Sequence, residues 1–186
     1  VDLLACAGAD LEGRDGQEAV VRLDPVEEVE ELEDAARYRR ETEIAAGLQH
    51  PNIGAIYDAQ QEEETFVIAM QYIDGDSLDK ARLDPREALK AIGEAARAVH
   101  FAHDHGIIHR DLKPSNLFLD DSGKLKLGDF GIARDTHQAY LTDTGLTVGT
   151  YAYMSPEQIC ADSTISDKAD LYALGCLLYE MLTGHQ

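Results

Sequence analysis

Positive charge is what this chain most lacks. Sixteen lysines and arginines stand against 36 aspartates and glutamates among 186 residues, a formal charge of −20. No basic face can be built from that balance, which argues against a nucleic-acid or anionic-membrane binder. Cysteine is nearly as scarce. Cys6, Cys160 and Cys176 lie far apart in no metal-ligand spacing, so reduced thiols in a cytoplasmic setting are the expectation. No apolar run approaches the ~18 residues that a membrane span needs. The nearest, Leu171 to Leu182, is short and interrupted by Glu180. No secretory signal, internal repeat or low-complexity linker is visible. What remains is a chain with 44% apolar residues, enough for a globular fold of one domain or two small lobes.

The pattern of elements changes along the chain. Residues 1–7 and 18–23 are short apolar runs joined by a Gly- and Asp-containing segment, which predicts two strands. Residues 26–49 read as a helix with acids first and arginines after, including an i,i+4 pair of Glu33 and Arg37; His50-Pro51-Asn52 ends it. Ile53–Tyr57 and Thr65–Tyr72 read as strands, with the Gln-Gln-Glu-Glu-Glu stretch as the turn between them. After Asp74-Gly75-Asp76 the signals become helical. Asp84-Pro85-Arg86-Glu87 has the arrangement of a capping box with proline at the first helical position. Leu89, Ile92, Ala96, Val99 and His103 then recur as one buried stripe, and Gly106 stops the helix. Leu117–Leu127 reads as a hairpin turning at Asp-Ser-Gly, 131–156 as a long polar surface segment, and Asp167–Thr183 as a buried helix closed by Gly184.

The chemistry is concentrated between 109 and 131. His109-Arg110-Asp111-Leu112-Lys113-Pro114-Ser115-Asn116 precedes a strand-like run that ends at Asp129-Phe130-Gly131. Phosphoryl transfer from ATP needs an acid to orient the attacking hydroxyl, a cation to offset phosphate charge, and oxygen donors for Mg²⁺. Asp111, Lys113, Asn116 and Asp129 are residues of those kinds in that order, and an Asp/Asn pair suits a hard cation. His109 is expected to pack beneath the loop rather than to titrate.

These motifs resemble those of the protein kinase family, over nearly the whole chain. The resemblance implies an α+β, two-lobed fold, truncated at both ends. A small β-rich lobe with one helix would span 1–70, a hinge 71–76, and a mostly helical lobe 77–186. It further implies ATP and Mg²⁺ as cofactors and protein substrates with Ser/Thr acceptors, with no nucleic acid and no membrane segment within this chain. Asp111 would orient the acceptor hydroxyl and take its proton, and Lys113 would neutralise the transferred phosphate. Asn116 and Asp129 would hold Mg²⁺. Met70, Gln71 and Ile73 would line the adenine site at the hinge. Glu41, in Arg39-Arg40-Glu41, would pair with a phosphate-binding cation. Asp170 matches a buried helix acid that holds the catalytic loop's backbone. Gly149-Thr150 through Ser155-Pro156-Glu157 matches the end of an activation segment, with Ser155 where alanine is usual. Lys113 and Thr150 resemble Ser/Thr rather than Tyr kinases, and the whole is similar to bacterial kinases of the eukaryotic-like type. Arg110 and Arg134 are candidate cations for a regulatory phosphate, and Thr142, Thr144, Thr147 and Thr150 are regulatory candidates.

The chain also departs from that pattern. Where the family has lysine on its third strand, Ala19-Val20-Val21 leads to Arg22, and no lysine occurs before Lys80. Arginine keeps the charge but carries it on a larger, planar fork. Gly8, Gly13 and Gly16 do not form a Gly-x-Gly-x-x-Gly motif. A scaffold role, as a pseudokinase or a degenerate kinase fragment, therefore stands beside the enzymatic one.

Overall fold

The computed structural model describes residues 18–23, 44–62, 65–128, 150–160 and 165–185. The expected strand at 1–7, most of the expected helix at 26–49, and the segment from Asp129 to Gly149 lie outside them. Strands β1 (Glu18–Leu23), β2 (Ile56–Glu62) and β3 (Thr65–Gln71) form an antiparallel sheet in the order β1-β3-β2. The second of these begins later and runs further than its apolar pattern predicts. Gln60, Gln61 and Glu62 pair with Val67, Phe66 and Thr65 instead of forming the turn. Backbone pairing to β3 overrides their weak strand propensity, as is common where a strand has one partner. A short strand, β4 (Gly75–Ser77), starts where the sequence reads as a turn. It pairs with β5 (Leu117–Asp120), which pairs in turn with β6 (Leu125–Leu127).

Helix α1 (Pro85–Asp104) begins as its sequence demands. Asp84 Oδ1 accepts from the Arg86 and Glu87 N–H groups at 2.7 and 2.9 Å, and Glu87 Oε2 accepts from the Asp84 N–H at 2.9 Å. Those bonds satisfy N–H groups that would otherwise lack helical partners. The buried face matches the predicted stripe only at Ile92 and Val99, however. Leu89 is 54% exposed and Ala96 is exposed, while Ala88, Ala91, Ile92, Ala95, Ala98, Val99 and Ala102 are buried. The small alanine side chains let helix α3 (Lys168–Thr183) approach closely, and closeness outweighs side-chain size in choosing the face. Between these helices in sequence lies a single turn, α2 (Pro156–Ile159).

Helix α3 also differs from expectation. It is apolar on most faces, but burial is confined to Ala169, Asp170, Ala173, Leu174 and Leu177, whereas Leu171, Tyr172 and Tyr179 are exposed. One face meets α1, and the helix ends at Gly184, whose φ of 72° suits glycine. The end of the predicted polar segment is not on the surface either, since Tyr153, Met154 and Ser155 are buried.

One tie links the region after 44–46, a helical turn, to the helices. Asn52 Nδ2 donates to Leu125 O at 2.8 Å and to Glu94 Oε2 at 3.4 Å, and the Leu125 N–H donates to the same Glu94 oxygen at 3.0 Å. The Leu127 N–H donates to Asn52 O, and the Gly54 N–H to Leu127 O, each at 2.8 Å. A buried asparagine satisfied in this way fixes β6 against α1 and holds the loop that follows it.

Candidate active site

The loop 109–116 is buried and densely bonded, and it crosses between α1 and β5. His109 is fully buried. Its Nδ1 accepts from the Asp111 N–H at 3.3 Å, which leaves Nε2 to donate to Gly128 O at 3.1 Å. The expected packing role is thus realised, with the ring pinning the loop to the residue before Asp129. Arg110 has φ 67°, and among the described residues it is the one non-glycine with a positive φ. An L-residue in that region costs about 1 kcal/mol, so neighbours must hold it there.

The neighbours are visible. Asp170, 1% exposed on α3, accepts from the His109 N–H through Oδ2 at 2.8 Å and from the Arg110 N–H through Oδ1 at 2.9 Å. His103 Nε2 on α1 lies 2.7 Å from Asp170 Oδ2. Burial alone would raise the Asp170 carboxyl. The hydrogen bond from His103, the neighbouring His109 ring and the two N–H groups outweigh it and hold the group below the ordinary carboxylate range. The Asp170 hydrogen bond lifts His103 above its ordinary value, helped by the charges of Asp170, Asp167 and Asp104 and opposed by burial.

After this turn, three of the predicted residues converge. Lys113 Nζ lies 3.1 Å from Asp111 Oδ2, with both side chains 11% exposed. Asn116 Nδ2 donates to Asp111 O at 2.8 Å and to Asp111 Oδ2 at 3.2 Å. Pro114–Asn116 forms one 3₁₀ turn, which brings Asn116 back beside Asp111. The Gly128 N–H donates to Asn116 O at 3.0 Å, so the position before Asp129 also closes on this cluster. The donor chemistry fits Mg²⁺: Asn116 commits its amide nitrogen to Asp111, and the atom it offers elsewhere is the hard oxygen Oδ1.

The other predicted residues are distributed as follows. Met70 and Gln71 end β3, and the Gln71 N–H donates to Ala55 O at 2.7 Å. Ile73 is buried just beyond, its Cδ1 close to Gly54. Arg22 stands in β1 opposite Val67 of β3. Thr150 opens the 3₁₀ turn Thr150–Tyr153. Glu41, Asp129, Arg134, Thr142, Thr144 and Thr147 lie outside the described residues.

Two contributors were missed from sequence. His103 was read as one of a buried stripe, whereas its ring bonds Asp170. Gln158 was not singled out at all, yet it is 3% exposed and its Nε2 donates to Arg110 O at 2.7 Å. Its only sequence signal is a glutamine at the third position of a helix opened by Ser155-Pro156, a capping pattern that says nothing about the far loop.

The family model for the protein kinase domain matches residues 11–186. Serine/threonine-protein kinase PknJ of Mycobacterium tuberculosis is 43% identical over 162 residues, covering 83% of this chain and 27% of that protein. PknB of Mycolicibacterium smegmatis is 44% identical, covering 80% and 25%, and PrkC of Bacillus subtilis is 40% identical, covering 80% and 24%. The chain thus spans about a quarter of the length of the curated relatives it matches. In three dimensions, a double mutant of the Mycobacterium tuberculosis PknI kinase domain is similar, with TM-score 0.75, 29% identity and coverage of 97% of this chain and 69% of that one.

Proposed function

Because the chain belongs to the protein kinase domain family, we propose that it is the core of a serine/threonine kinase that transfers the γ-phosphoryl group of ATP to hydroxyls of proteins. One observation carries the reading. Lys113 Nζ and Asn116 Nδ2 both converge on Asp111 Oδ2, at 3.1 and 3.2 Å, on a loop whose backbone is held from α3. Mg²⁺-ATP would supply the phosphoryl group and the metal that offsets its charge. Asp111 orients the acceptor hydroxyl and takes its proton. Its carboxylate is already held by Lys113 and Asn116, so little reorganisation is needed. Lys113 offsets charge on the transferred group, while Asn116 and Asp129 serve as metal ligands.

Residues 1–70, 71–76 and 77–186 are assigned as small lobe, hinge and large lobe, with Met70, Gln71 and Ile73 facing adenine. Arg22 and Glu41 form the cation–acid pair over the phosphates. Arg110 and Arg134 receive a regulatory phosphate on one of Thr142, Thr144, Thr147 or Thr150. Basic Ser/Thr-containing proteins suit a chain with formal charge −20, and such docking weakens with salt. No helix among the described residues is long and apolar enough to cross a membrane. The cytoplasm, which supplies ATP and keeps thiols reduced, is the compartment this reading assigns.

Arg22 favours a second reading, a binding module that keeps the fold without turnover. A misplacement of about 1 Å at the phosphates costs on the order of 10²-fold in rate, and a guanidinium does not replace an ammonium atom for atom. Transfer of labelled γ-phosphate to the chain itself and to a basic protein decides between them. Label on the unmodified chain that vanishes in Asp111→Asn is the expected result. Label that emerges only in Arg22→Lys identifies a fold switched off at one side chain. Folded protein with no label in any form removes the enzymatic reading.

A further inference from the structure

The bond from Gln158 to the catalytic loop has a consequence in geometry. The dihedrals φ and ψ of a residue are set by the orientations of the two rigid peptide planes that flank it. For Arg110, the plane before it is pinned where its N–H donates to Asp170 Oδ1 at 2.9 Å. The plane after it is pinned where its C=O accepts from Gln158 Nε2 at 2.7 Å. That second plane also carries the Asp111 N–H, which donates to His109 Nδ1 at 3.3 Å. Asp170 and Gln158 together therefore dictate the left-handed conformation of the residue that leads into Asp111.

Gln158 is itself fixed. Its Oε1 accepts from the Ser155 N–H at 3.1 Å and from Ser155 Oγ at 3.2 Å. Two donors on that side settle which way the amide faces, so the NH₂ group points at Arg110 O. Ser155 is fully buried, and its hydroxyl accounts for serine where alanine is usual.

We infer that Gln158 is a positioning residue for Asp111, joining the end of the 150–156 segment to the peptide plane from which the catalytic acid projects. The inference rests on the kinase reading for its catalytic consequence, but not for the clamp itself. A change in how α2 seats, whatever causes it, is then felt at Asp111 through one amide.

Two near-isosteric variants test it. Gln158→Glu retains an acceptor toward Ser155 and loses the donor to Arg110; Gln158→Met loses both. Hydrogen exchange of residues 109–112, taken as a ratio to wild type, reads the clamp without turnover. At about pH 8 both variants should exchange roughly tenfold faster there, the loss of one net hydrogen bond, with α1 and α3 unchanged. At about pH 5.5 the carboxyl introduced by Gln158→Glu, its pKa raised by burial, regains a proton to donate and the excess exchange shrinks, whereas Gln158→Met keeps its defect. In the transfer assay kcat falls about tenfold to hundredfold with KM for ATP unchanged. Exchange at 109–112 equal to wild type in both variants overturns the inference. So does a rise shared equally by α1 and α3, or a Gln158→Glu defect indifferent to pH, because each marks mere packing. A wild-type chain without transfer would count against the kinase reading alone, since the exchange ratios are still measured.

Discussion

The chain makes a tight excursion on each side of β5, and the two are held by opposite means. The turn after β5 is self-contained. Asp120 Oδ1 accepts from the Ser122 N–H and the Lys124 N–H, each at 3.0 Å, and from Ser122 Oγ at 2.6 Å. Gly123 supplies the left-handed step with φ 71°. The turn before β5 places an arginine at nearly the same φ, 67°, and the partners that hold it are 60 and 48 residues away, in Asp170 and Gln158. A turn built from local bonds forms with its hairpin. A turn built from distant side chains exists only once α2 and α3 have docked. The geometry of Asp111 is thus a property of the whole helical region rather than of the His109–Asn116 motif.

The sharpest way to break this contrast is to remove the distant acceptor. Asp170→Ala leaves two buried N–H groups and the His103 ring without their partner. Deleting one side of a buried charged cluster costs about 3–5 kcal/mol, so the unfolding free energy from denaturant titration should fall by that much and γ-phosphate transfer should be lost. Fast exchange at His109 and Arg110 in whatever remains folded would accompany it. A variant with wild-type exchange at 109–112 would show that the loop holds its own shape, and the contrast would fail.

On the other side of β5 the effect should be smaller and contained. Gly123→Ala meets nothing within 4 Å of the new methyl group, so its cost is the φ alone, about 1 kcal/mol. Asp120→Ala removes the acceptor for three bonds on an open turn and costs about 1 kcal/mol. Exchange should rise across 118–127 in both, with transfer unaltered. A loss of transfer larger than the loss of stability would mean that the hairpin also shapes the catalytic loop.

The same contrast explains what was legible in the sequence. Asp-Ser-Gly announced the outer turn because every bond it makes lies within five residues, and the capping box of α1 was read correctly for the same reason. The convergence of Asp111, Lys113 and Asn116, the proposed catalytic group, was legible through spacing, since they sit on one short loop that had to bring them together. Asp170 was reached only through family resemblance, since nothing local relates it to a loop 60 residues earlier. Gln158 and His103 were out of reach because their roles depend on which faces of α2 and α1 meet that loop. The buried face of α1 was read correctly at Ile92 and Val99 but misread at Leu89 and Ala96, because hydropathy favours Leu89, whereas close approach of α3 favours the alanines Ala88, Ala91, Ala95, Ala98 and Ala102. The strand β2 was misplaced because its polar half is held by pairing to β3, which side-chain pattern does not encode.

The smallest expected effect is a pH dependence confined to the distant clamp. His103 has a folded value above its ordinary one of about 6.5, so its contribution is complete below that value and is lost as pH rises through the raised one. Asp170 has a lowered folded value, so its contribution is present above about pH 3.9 and is lost as pH falls through the lowered one. The clamp is therefore strongest between about pH 4 and about pH 6.5 and weakens on the alkaline side first. Denaturation midpoints followed from about pH 5.5 to about pH 9 should decline in the wild type and decline less in His103→Gln, which cannot titrate. The outer turn draws on a carboxylate that stays ionised throughout this range, so exchange at Ser122 and Lys124, corrected for intrinsic rates, should stay level while that at His109 and Arg110 climbs. Parallel curves for wild type and His103→Gln would mean that the imidazole contributes no charge to the clamp, and Asp170 would then hold the loop through its two N–H bonds alone.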